Sequence, residues 1–138
     1  MNSEVSMNNE LLKHVLSVPT IYGNVGNMVA FLRNYCADKN VSFRSDEFGN
    51  VYIRKGRLHE RGEKFPLVCA HIDTVHQIQP KRIVETNGIL RAFGDSFSGA
   101  EQQIGLGGDC LAGVFICLEL LEAFPKIKVA LFADEEIG

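Results

Sequence analysis

Residues 109–138 read DCLAGVFICLELLEAFPKIKVALFADEEIG, and the order of apolar segments in this stretch decides the fold. Its first half, residues 109–124, is apolar on almost every face until two glutamates near the end, which favours a helix packed into a core at its start. Pro125 ends that helix, and the apolar run at residues 127–133 then predicts a strand. Three acidic residues follow this strand directly.

A second apolar run lies earlier in the chain, where residues 65–70 read FPLVCA without polar alternation. This pattern is expected of a strand buried on both faces of a mostly parallel sheet. Together with the helix and strand described above, it gives the order strand, helix, strand, which makes a βαβ unit. Such units are right-handed in nearly all cases and place sites at the carboxyl ends of their strands. The sequence therefore predicts an α/β fold with a mixed sheet flanked by helices.

Local signals outside this unit predict shorter elements. They are a helix over residues 8–18, a helix over residues 24–38, a hairpin within residues 41–56, a hairpin that turns at Asn87-Gly88, and a Gly/Ser-rich loop over residues 94–108. The helices follow from apolar residues at helical spacing, with Asn24 able to cap the second one. The hairpins follow from strand-like runs on either side of a tight turn, for which Asn-Gly is a strong signal.

The composition indicates a globular protein, because 46% of the 138 residues are hydrophobic and can bury a core. The length suggests one domain or part of a larger one. The net charge of −3, without a basic cluster, argues against nucleic acid as a partner. The start lacks the basic residues of a secretory signal, and no run approaches the roughly 18 apolar residues of a membrane span. We therefore expect a soluble cytoplasmic protein.

The four cysteines, Cys36, Cys69, Cys110 and Cys117, form no CxxC pair. Scattered cysteines in a cytosolic protein are usually reduced and often buried. We expect all four to be reduced packing residues that bind no zinc. Cys69 and Cys117 lie in apolar runs that favour burial.

Three polar clusters lie where predicted elements begin or end, and these carry the candidate chemistry. They are His71-Ile72-Asp73 after one strand, Asp109 at the start of the long helix, and Glu135-Glu136 after the last strand. Alternation along an extended chain points His71 and Asp73 the same way, so the carboxylate can fix the imidazole tautomer while the other ring nitrogen binds a metal. Imidazole and carboxylate donors suit zinc or a neighbouring divalent metal.

Asp109 is the candidate bridge, because one carboxylate can join two ions spaced about 3.5–4 Å apart. The adjacent Glu135 and Glu136 cannot both point at one spot in regular strand geometry, which suggests that one is a base and the other a ligand. Each cluster alone also has a simpler explanation. A lone HxD is more often a structural hydrogen bond, Asp109 alone suits a helix start, and a Glu-Glu pair is usually a solvated surface.

Three motifs in this order resemble those of the co-catalytic zinc exopeptidases and amidases related to peptidase T, the aminoacylases and the glutamate carboxypeptidases. The motifs are LVCAHIDTV at residues 67–75, GLGGDCLAGV at residues 105–114 and FADEEIG at residues 132–138. The likeness covers nearly the whole chain. It implies a zinc-exopeptidase fold of the phosphorylase/hydrolase-like type, with the chain as the N-terminal part of the catalytic domain.

The resemblance also implies a role for each candidate residue. His71 would bind one zinc, Asp109 would bridge both, Glu136 would bind the other, Glu135 would be the general base and Asp73 would orient His71. A complete site would hold two zinc ions, with manganese or cobalt as alternatives. The implied reaction is hydrolysis of a peptide or amide bond in small peptides or N-acyl amino acids.

The sequence departs from this family in two places. Relatives usually carry an acidic or amide residue directly after the bridging Asp, whereas Cys110 stands here, so the unusual peptide geometry expected at that bond does not follow from the sequence. The family's further acidic ligand, its late His and its lid or dimerisation domain do not occur in residues 1–138.

The alternative function is therefore that of a catalytically incomplete relative acting as a structural or assembly partner. Because the chain stops after a core strand, we expect little activity alone and self-association.

Overall fold

The computed structural model describes residues 9–57, 61–96 and 98–137. The elements follow one another in the order α1 (Asn9–Ser17), α2 (Gly26–Lys39), β1 (Ser42–Ser45), β2 (Val51–Lys55), β3 (Leu67–His71), β4 (Arg82–Thr86), β5 (Ile89–Asp95), β6 (Glu101–Ile104), α3 (Gly108–Ala123), β7 (Ile127–Phe132) and a 3₁₀ turn (Glu135–Ile137). This order confirms the helices, both hairpins and the final strand. Residue 8, at which the first helix was predicted to begin, lies outside the described residues.

The main sheet has four strands in the order β1, β2, β7, β3. Strands β1 and β2 form the predicted hairpin, β2 pairs antiparallel with β7, and β3 pairs parallel with β7. The parallel register sets His71 opposite Phe132, so both strands end at the same edge of the sheet. The sheet is mixed, as the sequence predicts.

Strand β3 lies at an edge of this sheet, and the prediction that both of its faces are buried is wrong. Leu67 is 60% exposed and Cys69 is also exposed. Their neighbours in the strand, Val68 and Ala70, pack instead against the core. The reason is that α3 covers one face of β3 only, and an apolar run does not reveal whether its second face is covered.

A second sheet of three antiparallel strands, β4, β5 and β6, lies between β3 and α3 in the chain. The predicted loop over residues 94–108 is therefore wrong in part, because β5 continues to Asp95 and β6 pairs with it. The sequence of β6, EQQI, carries only one strong strand former, so its structure comes from pairing with β5 and not from local preference. The crossover between β3 and β7 thus contains a small sheet as well as the predicted helix.

The hydrophobic core lies between the helices and the main sheet. Val15, Leu32, Leu118 and Leu131, from three helices and the central strand β7, are all fully buried there. Helix α2 begins at Gly26 without a side-chain cap, so the predicted capping by Asn24 is wrong. No helix in the described part of the chain is long and apolar enough to span a membrane.

Candidate metal centre

The parallel pairing of β3 with β7 brings the candidate residues to one edge of the main sheet. The strands end level with each other, and the N–H of Ile72 donates to the carbonyl of Phe132 at 2.9 Å just beyond the last pair. Helix α3 packs on both strands and begins near the same edge. Polar groups that follow two parallel strands therefore meet the start of a helix, which is where α/β sheets commonly bind ligands.

The imidazole of His71 lies at the middle of this arrangement. Its Nδ1 lies 3.1 Å from the backbone oxygen of Asp73 and 3.2 Å from the carboxylate Oδ1 of the same residue. Its Nε2 lies 3.1 Å from Oδ1 of Asp109 and 3.6 Å from Oε2 of Glu135. With the Nδ1 proton donated to Asp73, the Nε2 lone pair faces the two other carboxylates, as a metal-binding histidine requires.

The charges around His71 favour a positive charge at its ring. Burial lowers the pKa of this imidazole, but the hydrogen bond to Asp109, the contacts with Asp73 and the negative charge of Asp73 outweigh it, so the pKa is raised overall. A cation bound at Nε2 would benefit from the same carboxylates that stabilise the proton.

Asp73 is the buried member of the centre, with a fully buried side chain. Its Oδ1 faces Nδ1 of His71, and its Oδ2 accepts the backbone N–H of Glu136 at 2.9 Å. Both oxygens therefore have partners, as a buried carboxylate needs. Through these two bonds Asp73 joins the end of β3 to the segment that follows β7.

The segment after β7 is held by two further hydrogen bonds. Asn50 Oδ1 accepts the N–H of Ala133 at 2.8 Å, and Asp134 Oδ1 accepts the N–H of Gly23 at 2.6 Å. Asp134 has a positive φ of 60°, and the chain turns there into the 3₁₀ turn that carries the two glutamates.

This turn corrects the strand geometry assumed from the sequence, in which two adjacent glutamates could not face one spot. Donor atoms of His71, Glu135 and Glu136 all lie within 4.8 Å of one another. The side chain of Glu135 is 58% exposed, so it can also reach a molecule that approaches from solvent.

Asp109 lies at the entry to α3 with an 88% exposed side chain. Asp109 and Cys110 both have non-helical backbone angles, and the peptide bond between them is cis. The unusual peptide geometry of the resembled family is therefore present with a cysteine in the second position. Donor atoms of His71, Asp109 and Cys110 also lie within 4.8 Å of one another.

The donor sets fit a zinc-like ion. Bonds from zinc to nitrogen, oxygen and sulfur measure about 2.0–2.3 Å, so two ligands of one ion lie at most about 4–4.6 Å apart. Both groups of donors approach this spacing, and a small adjustment of exposed carboxylates would close it. The structure brings all five candidate residues together, while the role of each one remains a prediction.

All four cysteines are free thiols, with Cys36 and Cys117 buried. The expected burial of Cys69 is wrong, because its side chain lies on the uncovered face of β3. Cys110, which the sequence assigns to packing, has its sulfur within 4.8 Å of donor atoms of His71 and Asp109. The signal that pointed to it was its position directly after the candidate bridging Asp109.

No protein-family model matches the sequence, and no curated protein matches it. Similar structures do exist. A tripeptidase from Staphylococcus aureus has a TM-score of 0.72 and 17% identity, over 94% of this chain and 36% of the tripeptidase. An aminoacylhistidine dipeptidase from Vibrio alginolyticus has a TM-score of 0.68 and 23% identity, over 94% of this chain and 28% of the dipeptidase. The aminopeptidase PepT from Bacillus cereus has a TM-score of 0.69 and 19% identity, over 96% of this chain and 38% of the aminopeptidase.

The chain thus spans between 28% and 38% of the length of these peptidases. The similarity extends over 94–96% of this chain. It confirms the fold that the resemblance to zinc exopeptidases predicts.

Proposed function

We propose that this chain carries part of the catalytic centre of a metal-dependent hydrolase that cleaves peptide or amide bonds. The observation that carries the proposal is the meeting of His71, Asp109 and the Glu135-Glu136 pair, from three distant chain segments, at one edge of the sheet. A fold shared with three peptidases supports the same class of reaction. Small peptides or N-acyl amino acids are the proposed substrates.

In this proposal His71 and Glu136 would each hold one ion, and the carboxylate of Asp109 would be shared by the two. Zinc is the expected metal, at two ions per complete site, and manganese or cobalt suit the same oxygen and nitrogen donors. Asp73 binds no ion but holds the ring of His71 through Nδ1, which leaves Nε2 for the metal.

Bound zinc supplies a Lewis acid, which polarises the substrate carbonyl and acidifies the attacking water. Glu135 would take the proton of that water, and two observations support this role: its side chain is half exposed, and its Oε2 lies 3.6 Å from Nε2 of His71. The same carboxylate then returns the proton to the leaving amine. Glu135 thus serves as general base in the first step and as general acid in the second.

We also propose that residues 1–138 form the N-terminal part of a catalytic domain. The proposed ligands among the described residues are His71, Asp109 and Glu136, and two ions need more donors than these three. Further ligands and a segment that covers the substrate would then come from elsewhere in the protein.

The test of function uses the complete product of the gene that encodes this chain. The protein is loaded with zinc, manganese or cobalt and assayed on dipeptides, tripeptides and N-acetyl amino acids. Glu135→Gln should lower kcat about 10²–10⁴-fold, because it removes the general base. Zinc affinity should stay within a few-fold of the native value. The control is Glu47→Gln, which changes an exposed glutamate in the turn between β1 and β2.

Two results would overturn the proposal. One is hydrolysis that continues at the native rate in Glu135→Gln. The other is a protein that binds no divalent metal. A protein that binds metal and cleaves no amide would instead support the alternative, an assembly partner without catalysis.

Self-association is a further part of the proposal. In the described structure β3 pairs with β7 on one side only, and Leu67 in this strand is 60% exposed. An open strand edge of this kind favours pairing with another chain. Light scattering should find oligomers of the native chain. Leu67→Lys should shift them toward monomer, because a charge on an edge strand disfavours pairing. Identical masses for the two proteins would exclude this edge as the contact.

A further inference from the structure

We propose that the thiolate of Cys110 is a ligand of the ion held by His71 and Asp109, so that the metal centre contains sulfur. The inference rests on the proposed function only in requiring that the centre binds a metal. It goes beyond that proposal because the implied ligands are nitrogen and oxygen alone.

The geometry of the three donors carries the inference. Sγ of Cys110, a ring nitrogen of His71 and a carboxylate oxygen of Asp109 lie within 4.8 Å of one another. Zinc binds sulfur at about 2.3 Å and histidine nitrogen at about 2.0–2.1 Å, so one ion placed between these atoms would contact all three after a small adjustment of their side chains. Cys110 is partly exposed, and the neighbouring Asp109 is open to solvent, so an ion can reach the group.

The absence of a side chain at Gly113 in α3 leaves room for the thiol of Cys110. A methyl group built on Gly113 would overlap the sulfur of Cys110 and would lie 3.3 Å from Cβ of Ala70. The sulfur therefore lies against bare backbone, in space that any larger residue at position 113 would take. Ala70 directly precedes His71 in β3, and α3 packs on this strand, so the start of the helix lies close to the imidazole.

The other cysteines have different surroundings. Burial raises the pKa of Cys36 to about 11, and burial together with Cys110 and Cys69 raises the pKa of Cys117 to about 11. Cys69 is exposed on the outer face of β3. In the described part of the chain, Cys110 is the cysteine whose sulfur lies at metal-ligand spacing from both a histidine and a carboxylate.

A sulfur donor changes which ions the centre prefers. Binding replaces the S–H bond of Cys110 by a sulfur–metal bond and releases one proton to solvent. Thiolate favours softer ions such as zinc, cobalt and cadmium, whereas manganese and magnesium prefer oxygen. A centre of this composition should therefore discriminate against manganese more strongly than one built from carboxylates and imidazole.

The experiment compares three zinc-loaded proteins, the native chain, Cys110→Ser and Cys69→Ser, by X-ray absorption at the zinc edge. The native chain and Cys69→Ser should both show a sulfur neighbour at about 2.3 Å, beside nitrogen and oxygen at about 2.0–2.2 Å. Cys110→Ser should lose the sulfur and keep the lighter atoms. With cobalt, the native chain and Cys69→Ser should show a thiolate-to-cobalt charge-transfer band that is absent from Cys110→Ser.

A second measurement does not depend on how well the variants fold. Alkylation of the native chain, mapped by mass spectrometry, should modify Cys110 in the metal-free protein and spare it when zinc is bound. Exposed Cys69 is the internal control, because its labelling should be the same in both states.

The outcomes separate this inference from the proposed function. Stoichiometric zinc with only nitrogen and oxygen neighbours in the native chain overturns the sulfur ligand and leaves the metal-hydrolase proposal standing. Sulfur that persists in Cys110→Ser, or equal alkylation of Cys110 with and without zinc, also overturns the inference alone. A native chain that binds no zinc overturns both.

Discussion

The buried carboxylate of Asp73 can be tested by Asp73→Asn, which keeps the shape of the side chain and removes its charge. One oxygen of Asp73 lies 3.2 Å from Nδ1 of His71, and the other accepts the N–H of Glu136 at 2.9 Å. When Nδ1 carries its proton, both neighbours are donors. An asparagine offers one acceptor oxygen and one donor group, so it cannot accept both bonds.

The consequence for metal binding follows from the tautomer of His71. If the amide oxygen keeps the bond to Glu136, the amide NH₂ faces Nδ1 and favours the form with the proton on Nε2, where the metal would bind. Loss of such a supporting group typically lowers metal affinity about 10–100-fold. The backbone oxygen of Asp73, 3.1 Å from Nδ1, can still accept the original proton. We therefore expect a loss of zinc affinity at the lower end of this range, about tenfold, which corresponds to about 1.4 kcal/mol of binding free energy.

Competition with a chromophoric zinc chelator measures this effect in the native chain, Asp73→Asn, Asp109→Asn and the control Asp95→Asn. Asp109→Asn should weaken zinc binding more than Asp73→Asn, because its carboxylate is proposed to touch both ions. Asp95 is exposed at the end of β5, and its variant should bind as the native chain does. Equal zinc affinities for Asp73→Asn and Asp109→Asn would falsify the assigned roles, and a native affinity for Asp73→Asn would show that its charge does not matter.

Three further predictions concern thiols, a turn and the metal. Burial raises the pKa of Cys117 to about 11, so alkylation mapped by mass spectrometry at neutral pH should label exposed Cys69 at once and Cys117 only on unfolding. Gly49→Ala should lower the free energy of unfolding by about 1–3 kcal/mol in urea titrations, because φ is +88° and the new Cβ would lie 2.6 Å from Cγ2 of Val25. In Gly62→Ala, with φ of +87° and no described atom within 4 Å, the loss should be smaller, and equal losses would refute the steric reasoning. Removing zinc with a chelator should lower the melting temperature, since free zinc at 100 times its Kd stabilises the folded state by about 2.7 kcal/mol. An unchanged melting temperature would argue against a zinc site in the folded protein.

The parts of the fold that could be predicted from sequence are those encoded by local pattern. The long apolar helix between two apolar runs predicts the parallel pair of β3 and β7, because a helical crossover is the usual way to join parallel strands. The Asn87-Gly88 turn predicts the hairpin of β4 and β5, and both residues have the positive φ that such a turn requires. Polar residues at element ends likewise indicated where a site would lie.

The parts that could not be predicted depend on contacts between distant segments. Strand β6 has a polar sequence, and its strand structure comes from the register with β5 that sets Ala92 opposite Ile104. The edge position of β3 depends on which strands are present beside it. The approach of Cys110 to His71 depends on the path of the chain into α3, and the sequence indicates only that Cys110 directly follows the candidate bridging Asp109.

The hydrogen bonds that hold the segment after β7 have a consequence for the entropy of ion binding. Asn50 and Asp73 accept backbone N–H groups of this segment, and Gly23 donates to the side chain of Asp134, so the segment is already ordered before any ion arrives. Fixing one residue of a free chain costs about 1–2 kcal/mol in conformational entropy. That loss is incurred once, when the sheet folds, and only the side-chain rotamers of Glu135 and Glu136 remain to be restricted on binding. The centre is thus preorganised, and more of the metal–ligand interaction remains as net affinity.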